Sequence, residues 1–240
     1  MDFPLNSRLP ALTANIAVAA AFIVYSAEIA RAQPAAEGGS EFMLKANSLS
    51  LYGGMGVAIA DAPGLVKYLN TLGDPTVLSD FATDVEFFGG IEFPVTFEWA
   101  GVVEYSYLFK SYTLSIVDGG SYTIFYSMHM PTAMVNYVIA GGGYFLKFGG
   151  GIGYHTGSLE QKDPYGNDIT YTAHGVGLKA QAVGQTAFDE HLYGYIGGDM
   201  RWELLGQLKG AGGTVPPSSG RVPSLSMFVA GLNFGLTYYF

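Results

Sequence analysis

Ser158, Glu160 and His174 are a hydroxyl, a carboxylate and an imidazole lying close together in the chain. These are the parts from which a base-activated nucleophile opens an ester. The local sequences Gly157-Ser158-Leu159 and Ala173-His174-Gly175 match no catalytic signature, so that chemistry depends on the fold setting Ser158 beside His174. A larger ionisable group consists of Glu86, Glu92, Glu98, Glu104, Lys147, Lys179, Asp199, Arg201 and Glu203. Acids and bases placed among apolar and small residues on several segments are what a buried ion-pair network needs. Gly149-Gly150-Gly151-Ile152-Gly153 has the glycine density of a phosphate loop but no lysine-serine/threonine and no helix after it. Asp163-Pro164-Tyr165-Gly166-Asn167-Asp168 offers oxygen ligands without the spacing and closing Glu of a calcium loop, and reads as a polar turn. With no cysteine, disulfides, thiolate metal sites and thiol catalysis are excluded. No metal and no cofactor is expected.

A period of two must position these residues. Phe228, Ala230, Leu232, Phe234, Leu236, Tyr238 and Phe240 share one parity, while Val229, Gly231, Asn233, Gly235, Thr237 and Tyr239 share the other. Successive strand side chains point to opposite faces, so one face is apolar and the other small or polar. The alternation recurs around Val85–Phe93, Tyr144–His155, Val176–Gln185 and Leu192–Gln207. It assigns the nine ionisable residues, together with His129 and His155, to the inner face, and Ser158, Glu160 and His174 to the outer. Strands are expected near 48–58, 84–93, 98–117, 121–139, 144–159, 169–186, 191–209 and 224–240. Short connections at Pro94–Phe97, Ala140–Gly143 and Ala187–Glu190 alternate with longer or more polar ones at 59–83, 160–168 and 210–223, with a tight turn at Asp118-Gly119-Gly120 on the latter side. A short helix is expected from Gly64 to Leu72, with Leu65, Val66, Leu69 and Leu72 as its apolar stripe.

Composition narrows the setting. The 240 residues include 34 glycines and 35 aromatics, 49% hydrophobic and only 13% charged residues, and a net charge of −9. Disorder is excluded by that hydrophobicity, and the acid excess leaves no broad basic surface for nucleic acid. Residues 1–32 read as a secretory signal: Arg8, an apolar stretch from Ala11 to Ala27, then the small-x-small triplet Ala30-Arg31-Ala32. Residues 33–47 are expected as a short periplasmic segment and 48–240 as the folded body. A soluble sandwich could bury the apolar face against a second sheet; a barrel in lipid would turn it outward, where a strand of about 9–11 residues crosses.

The alternating strands and the ending Phe234-x-Leu236-x-Tyr238-x-Phe240 resemble bacterial outer-membrane β-barrels, specifically small eight-stranded barrels of the OmpA/OmpX type without a periplasmic domain. The resemblance implies an all-β, eight-stranded, antiparallel, up-and-down transmembrane barrel. It implies localisation in the outer membrane after secretion across the inner membrane. It also implies contact with outer-membrane lipid and lipopolysaccharide, and reading of the final aromatic residues by the barrel assembly machinery during biogenesis. Trp99, Tyr105, Tyr107, Tyr137, Trp202 and Tyr238 are expected in the interfacial girdles. So narrow a barrel has room for its own side chains or one small ligand. The expected role is therefore non-enzymatic, structural or surface-interacting, around a plugged polar interior. A narrow channel or carrier for small solutes is the alternative, and a lipid A-modifying hydrolase using Ser158, Glu160 and His174 is the second.

Overall fold

The computed structural model describes residues 48–72, 82–115, 120–211 and 223–240. The expected leader and the 33–47 segment lie outside them, as do parts of the connections 59–83, 118–120 and 210–223. Among the described residues, eight long strands form: β1 (Ser50–Asp61), β2 (Ala82–Pro94), β3 (Trp99–Ser115), β4 (Ser121–Gly141), β5 (Tyr144–Lys162), β6 (Asp168–Ala187), β7 (Leu192–Leu205) and β9 (Met227–Tyr239), with a two-residue strand β8 (Lys209–Gly210) and one helix, α1 (Pro63–Leu72). Each long strand pairs antiparallel with its sequence neighbours, and β9 pairs with both β7 and β1, Leu192 opposite Tyr238 and Ser50 opposite Tyr239. The sheet is thus a closed, up-and-down, eight-stranded antiparallel barrel, and closure leaves the long strands no free edge.

The expected strand at 191–209 stops earlier, at Leu205. Gly206 donates its N–H to the His174 carbonyl at 3.0 Å. The chain then crosses the rim, so that Lys209 and Gly210 pair with Thr172 and Tyr171 of β6. Strand lengths are unequal in a systematic way. β3, β4, β5 and β6 have 17, 21, 19 and 20 residues, whereas β1, β2, β7 and β9 have 12, 13, 14 and 13. At about 3.3 Å per residue the long set carries roughly 20 Å of extra strand. Because the turns 95–98, 142–143 and 188–191 are short, this extra length rises at the opposite end as a wall on one side of the mouth.

The apolar belt faces out. Phe87, Ile91, Val103, Val135, Ile152, Leu178, Leu232 and Leu236 are all exposed, which in water would waste their burial and in lipid satisfies it. Trp99, Tyr137 and Tyr238 mark its lower edge, Trp99 and Tyr137 in edge-to-face contact at 5.3 Å. In the wall the pattern inverts: Leu108, Ile124, Met128 and Leu159 point inward and are fully buried, while Ser111, Thr123, Glu160 and Thr170 are exposed. The cause is α1. Pro63 opens the helix with its fixed φ, and Leu65, Tyr68 and Leu69, on one face by their i, i+3, i+4 spacing, are buried against the wall's apolar inner surface. Leu208 and Leu225, from the chain between β7 and β9, fill the same cluster.

Candidate functional site

The interior is built in layers. Nearest the short turns, Phe145, Tyr193 and Tyr239 pack together, with ring centroids 4.9–5.4 Å apart. Just above them Lys147 of β5 binds Glu92 of β2 and also donates to the Tyr239 hydroxyl at 2.9 Å. Lys179 of β6 meets Glu104 of β3 at 2.5 Å, and Tyr52 of β1 donates to the other oxygen of Glu104 at 2.8 Å. Arg201 of β7 bridges Glu86 of β2 at 2.5 Å and Asp199 at 2.7 Å, while Asn233 donates to Asp199 at 2.6 Å. Towards the mouth, His155 of β5 lies 2.6 Å from Glu203 of β7 and 3.1 Å from the Thr132 hydroxyl. Last below α1, Tyr126 donates to Asp84. All these ionisable groups are buried. A charge placed there alone would carry a large desolvation cost, so the partners are what make their presence tolerable.

Eight of the nine expected interior residues share this space: Glu86, Glu92, Glu104, Lys147, Lys179, Asp199, Arg201 and Glu203 are buried inward. Glu98 does not join them. It is exposed, in the turn before β3, where its N–H lies 3.4 Å from the Thr96 hydroxyl. The ladder begins only at Trp99, so alternation does not govern Glu98. His129 also departs from expectation. It faces outward, since the inward positions flanking it are Met128 and Met130; those methionines line the apolar upper chamber, where inner and outer chemistries are exchanged. His155 faces inward as alternation implies.

Several network members were not singled out in the sequence. Asp84 and Tyr239 had inward parity, a usable signal. Tyr52, Asn136, Gln181, Gln185 and Asn233 are neutral and matter only through their partners, such as Gln181 donating to Asn136 at 3.2 Å. Glycine makes one layer possible: a Cβ on Gly177 would lie 2.1 Å from His155 Nδ1 and 2.6 Å from Glu203 Oε2.

The ester-cleaving set is not assembled. Ser158 pairs with Thr172, whereas His174 pairs with Thr156 and its Nδ1 lies 3.0 Å from the Thr156 hydroxyl. Glu160 stands opposite Thr170, exposed on the wall. Asp163 is engaged by its own turn: Tyr165 and Asn167 donate backbone N–H groups to it at 2.9 and 2.8 Å. The Asn167 side chain, donating at 2.8 Å, holds its carboxyl below the usual range. On α1, burial raises the Tyr68 phenol above its ordinary value, helped by nearby Tyr171 and Tyr122, and Tyr68 donates to Gln161 at 2.5 Å. Phe234, Leu236, Tyr238 and Phe240 all lie exposed on the outer face.

Comparison with family models finds no match, and neither does comparison with curated proteins. Among solved structures the chain is similar to the Neisserial surface protein NspA, with 11% identity over 80% of this chain and 97% of that one and a TM-score of 0.49. It is similar also to Ail, the attachment invasion locus protein of Yersinia pestis (12%, 81% and 99%, TM-score 0.47). A third is the outer membrane protein OprG of Pseudomonas aeruginosa (12%, 80% and 96%, TM-score 0.44). The barrel assignment stands on this chain's own ladder, closed from β9 to β1 through eleven consecutive registered positions beyond Ser50.

Proposed function

We propose that this protein is a non-conducting, non-enzymatic barrel of a Gram-negative-type outer membrane, with its interior serving as a structural plug and its working surface at the walled end. Its leader would direct export, its lipid-facing belt would set it among outer-membrane lipid and lipopolysaccharide, and its final aromatic residues would be read during assembly. The observation that supports this most directly is the combination of cross-lumen ion pairs with an apolar seal of α1 over them. An ion entering would have to displace Leu65, Tyr68 and Leu69 and then separate pairs of buried charges, each at a desolvation cost. Single-channel recording of the refolded protein in a planar bilayer tests the reading, alongside Arg201→Ala. A folded barrel, identified by its heat-dependent gel mobility, is expected to be silent. Reproducible steps that change with Arg201→Ala would overturn the plug.

The alternative of a narrow cation path has one observation in its favour. The buried carboxylates Asp84, Glu86, Glu92, Glu104, Asp199 and Glu203 outnumber Lys147, Lys179 and Arg201, so any path through them would favour cations. Steps with cation selectivity would establish it.

A further inference from the structure

The outward face of the wall carries a feature that neither the plug nor the belt requires. Across β3 to β6 one cross-strand row reads Tyr107, His129, Thr156, His174, each residue the registered partner of the next. Immediately below it on the outer face are Tyr105 on β3 and Tyr154 on β5, both exposed aromatics. The two histidines are held in parallel ways. His129 Nδ1 lies 2.5 Å from the Tyr105 hydroxyl, with the Tyr107 ring 4.9 Å away. His174 Nδ1 lies 3.0 Å from the Thr156 hydroxyl, and its ring is nearly parallel to that of Tyr154, 4° between planes at 6.3 Å. Both histidines are exposed.

With each Nδ1 engaged by a hydroxyl, each imidazole keeps its Nε2 for something outside the chain. When the hydroxyl donates to Nδ1, the neutral ring carries its proton on Nε2 and offers it as a donor. The two rings stand on strands separated only by β5, on the order of 10 Å apart at the usual strand spacing. Their height is informative. Below the row the outward residues are apolar, Val176, Leu178 and Ile152 among them; above it they are mostly polar, Ser158, Glu160, Thr170 and Thr172 on β5 and β6, with Phe109 and Phe125 on the β3 and β4 side. This is the level of lipid headgroups, which in a bilayer are phosphate-bearing. Among the described outward residues of β3 to β6, the only other nitrogen base is Lys162, at the strand tip and 3.7 Å from Asp168.

We propose that His129 and His174 are two docking points for the phosphate groups of outer-leaflet lipid headgroups, Nε2 of each donating to one phosphate, with Tyr105 and Thr156 as positioning residues. The proposal rests on the membrane reading above. The test uses the full mature chain refolded in maltoside micelles, which contain no phosphate, with 15N-labelled histidine. Phosphatidic acid is titrated in, with diacylglycerol and inorganic phosphate as separate arms, and the imidazole resonances are followed by NMR. Phosphatidic acid is expected to move the His129 and His174 signals and leave buried His155 in place; diacylglycerol and inorganic phosphate at the same concentration should move none. His129→Gln with His174→Gln should weaken the apparent affinity about tenfold or more, since charge-assisted hydrogen bonds are lost, while His191→Gln, near the short turns, should not. Failure of the barrel to show its gel shift would overturn the membrane reading. A folded barrel whose two signals stay still, or move equally with diacylglycerol, would overturn only this site. A response to inorganic phosphate alone would overturn the lipid as its ligand.

Discussion

Lys179 on β6 and Glu104 on β3 meet at 2.5 Å from strands that stand three apart in the ring. Lys147 on β5 with Glu92 on β2, and Arg201 on β7 with Glu86 on β2, span the same separation. In a ring of eight long strands, three steps is nearly the far side. The pairs therefore brace the lumen rather than stitch neighbouring strands, and each ties together segments whose order in the sheet is otherwise fixed only by going round the circumference. The half-buried phenol of Tyr52 and the buried one of Tyr239 then occupy oxygen or ammonium valences that the braces leave open.

From this bracing follows an asymmetry between single and double substitution. Glu104→Gln leaves the Lys179 ammonium buried without its counter-charge and is expected to destabilise the folded barrel by about 3–5 kcal/mol, as does Lys179→Met alone. The double variant removes both charges and should recover most of the loss. Urea unfolding in lipid vesicles, followed by tryptophan fluorescence and gel mobility, measures all three. Equal losses for the single and double variants would show that the pair is not the brace inferred here.

Space inside the barrel makes a sharper test at glycine. Gly177→Ala puts a methyl group where His155 and Glu203 meet, and one layer of the interior must shift; a cost of about 1–3 kcal/mol is expected. Gly184→Ala is the matched control, because its Cβ would find nothing nearer than 3.7 Å. It should leave the unfolding midpoint essentially unchanged.

How far the sequence shows this arrangement differs by region. Along β2, β3, β5, β6, β7 and β9 within the belt, lipid and lumen impose opposite demands on alternate residues, and eight interior charges are readable from parity alone. Above the belt those demands reverse. Water lies outside, α1 lies inside, and Met128-His129-Met130 looks like a lipid-facing stretch until the helix is known to cover it. Glu98 fails for a different reason: parity has meaning only within a ladder, and the ladder starts at the next residue. Which acid meets which base depends on barrel register, and periodicity carries no information about register.

The lid on the mouth should be separable from the barrel. Leu65→Asp with Leu69→Asp places two carboxylates into the apolar cluster of Leu108, Ile124, Met128 and Leu159, which offers them no partner. Alpha1 is expected to leave the mouth while the strands remain closed, so trypsin should cut at exposed Lys67 much faster than in the wild type, with unchanged gel mobility. Tyr68→Phe is a gentler probe, losing the bond to Gln161 and about 1 kcal/mol of lid stability. The raised Tyr68 phenol sets a sign as well. The seated phenol keeps its proton where a released one, with a value of about 10, loses it. Lid stability should therefore fall as the pH rises above that value, and Tyr68→Phe should remove the dependence.

The last residue separates assembly from stability. Phe240 donates its N–H to the Leu49 carbonyl at 3.0 Å, a contact any residue's backbone can make, while its ring is exposed and touches Tyr238 edge-on at 5.3 Å. Phe240→Ala should therefore cost the refolded barrel little, within about 1 kcal/mol, because the lost term is one exposed aromatic contact. If the ring is instead read during membrane insertion in the cell, the same substitution should sharply lower the amount of folded protein recovered from the outer membrane. Measuring unfolding in vesicles and yield from membranes on one variant distinguishes the roles. A parallel fall in both would make Phe240 a structural residue, and unchanged values in both would remove it from assembly as well.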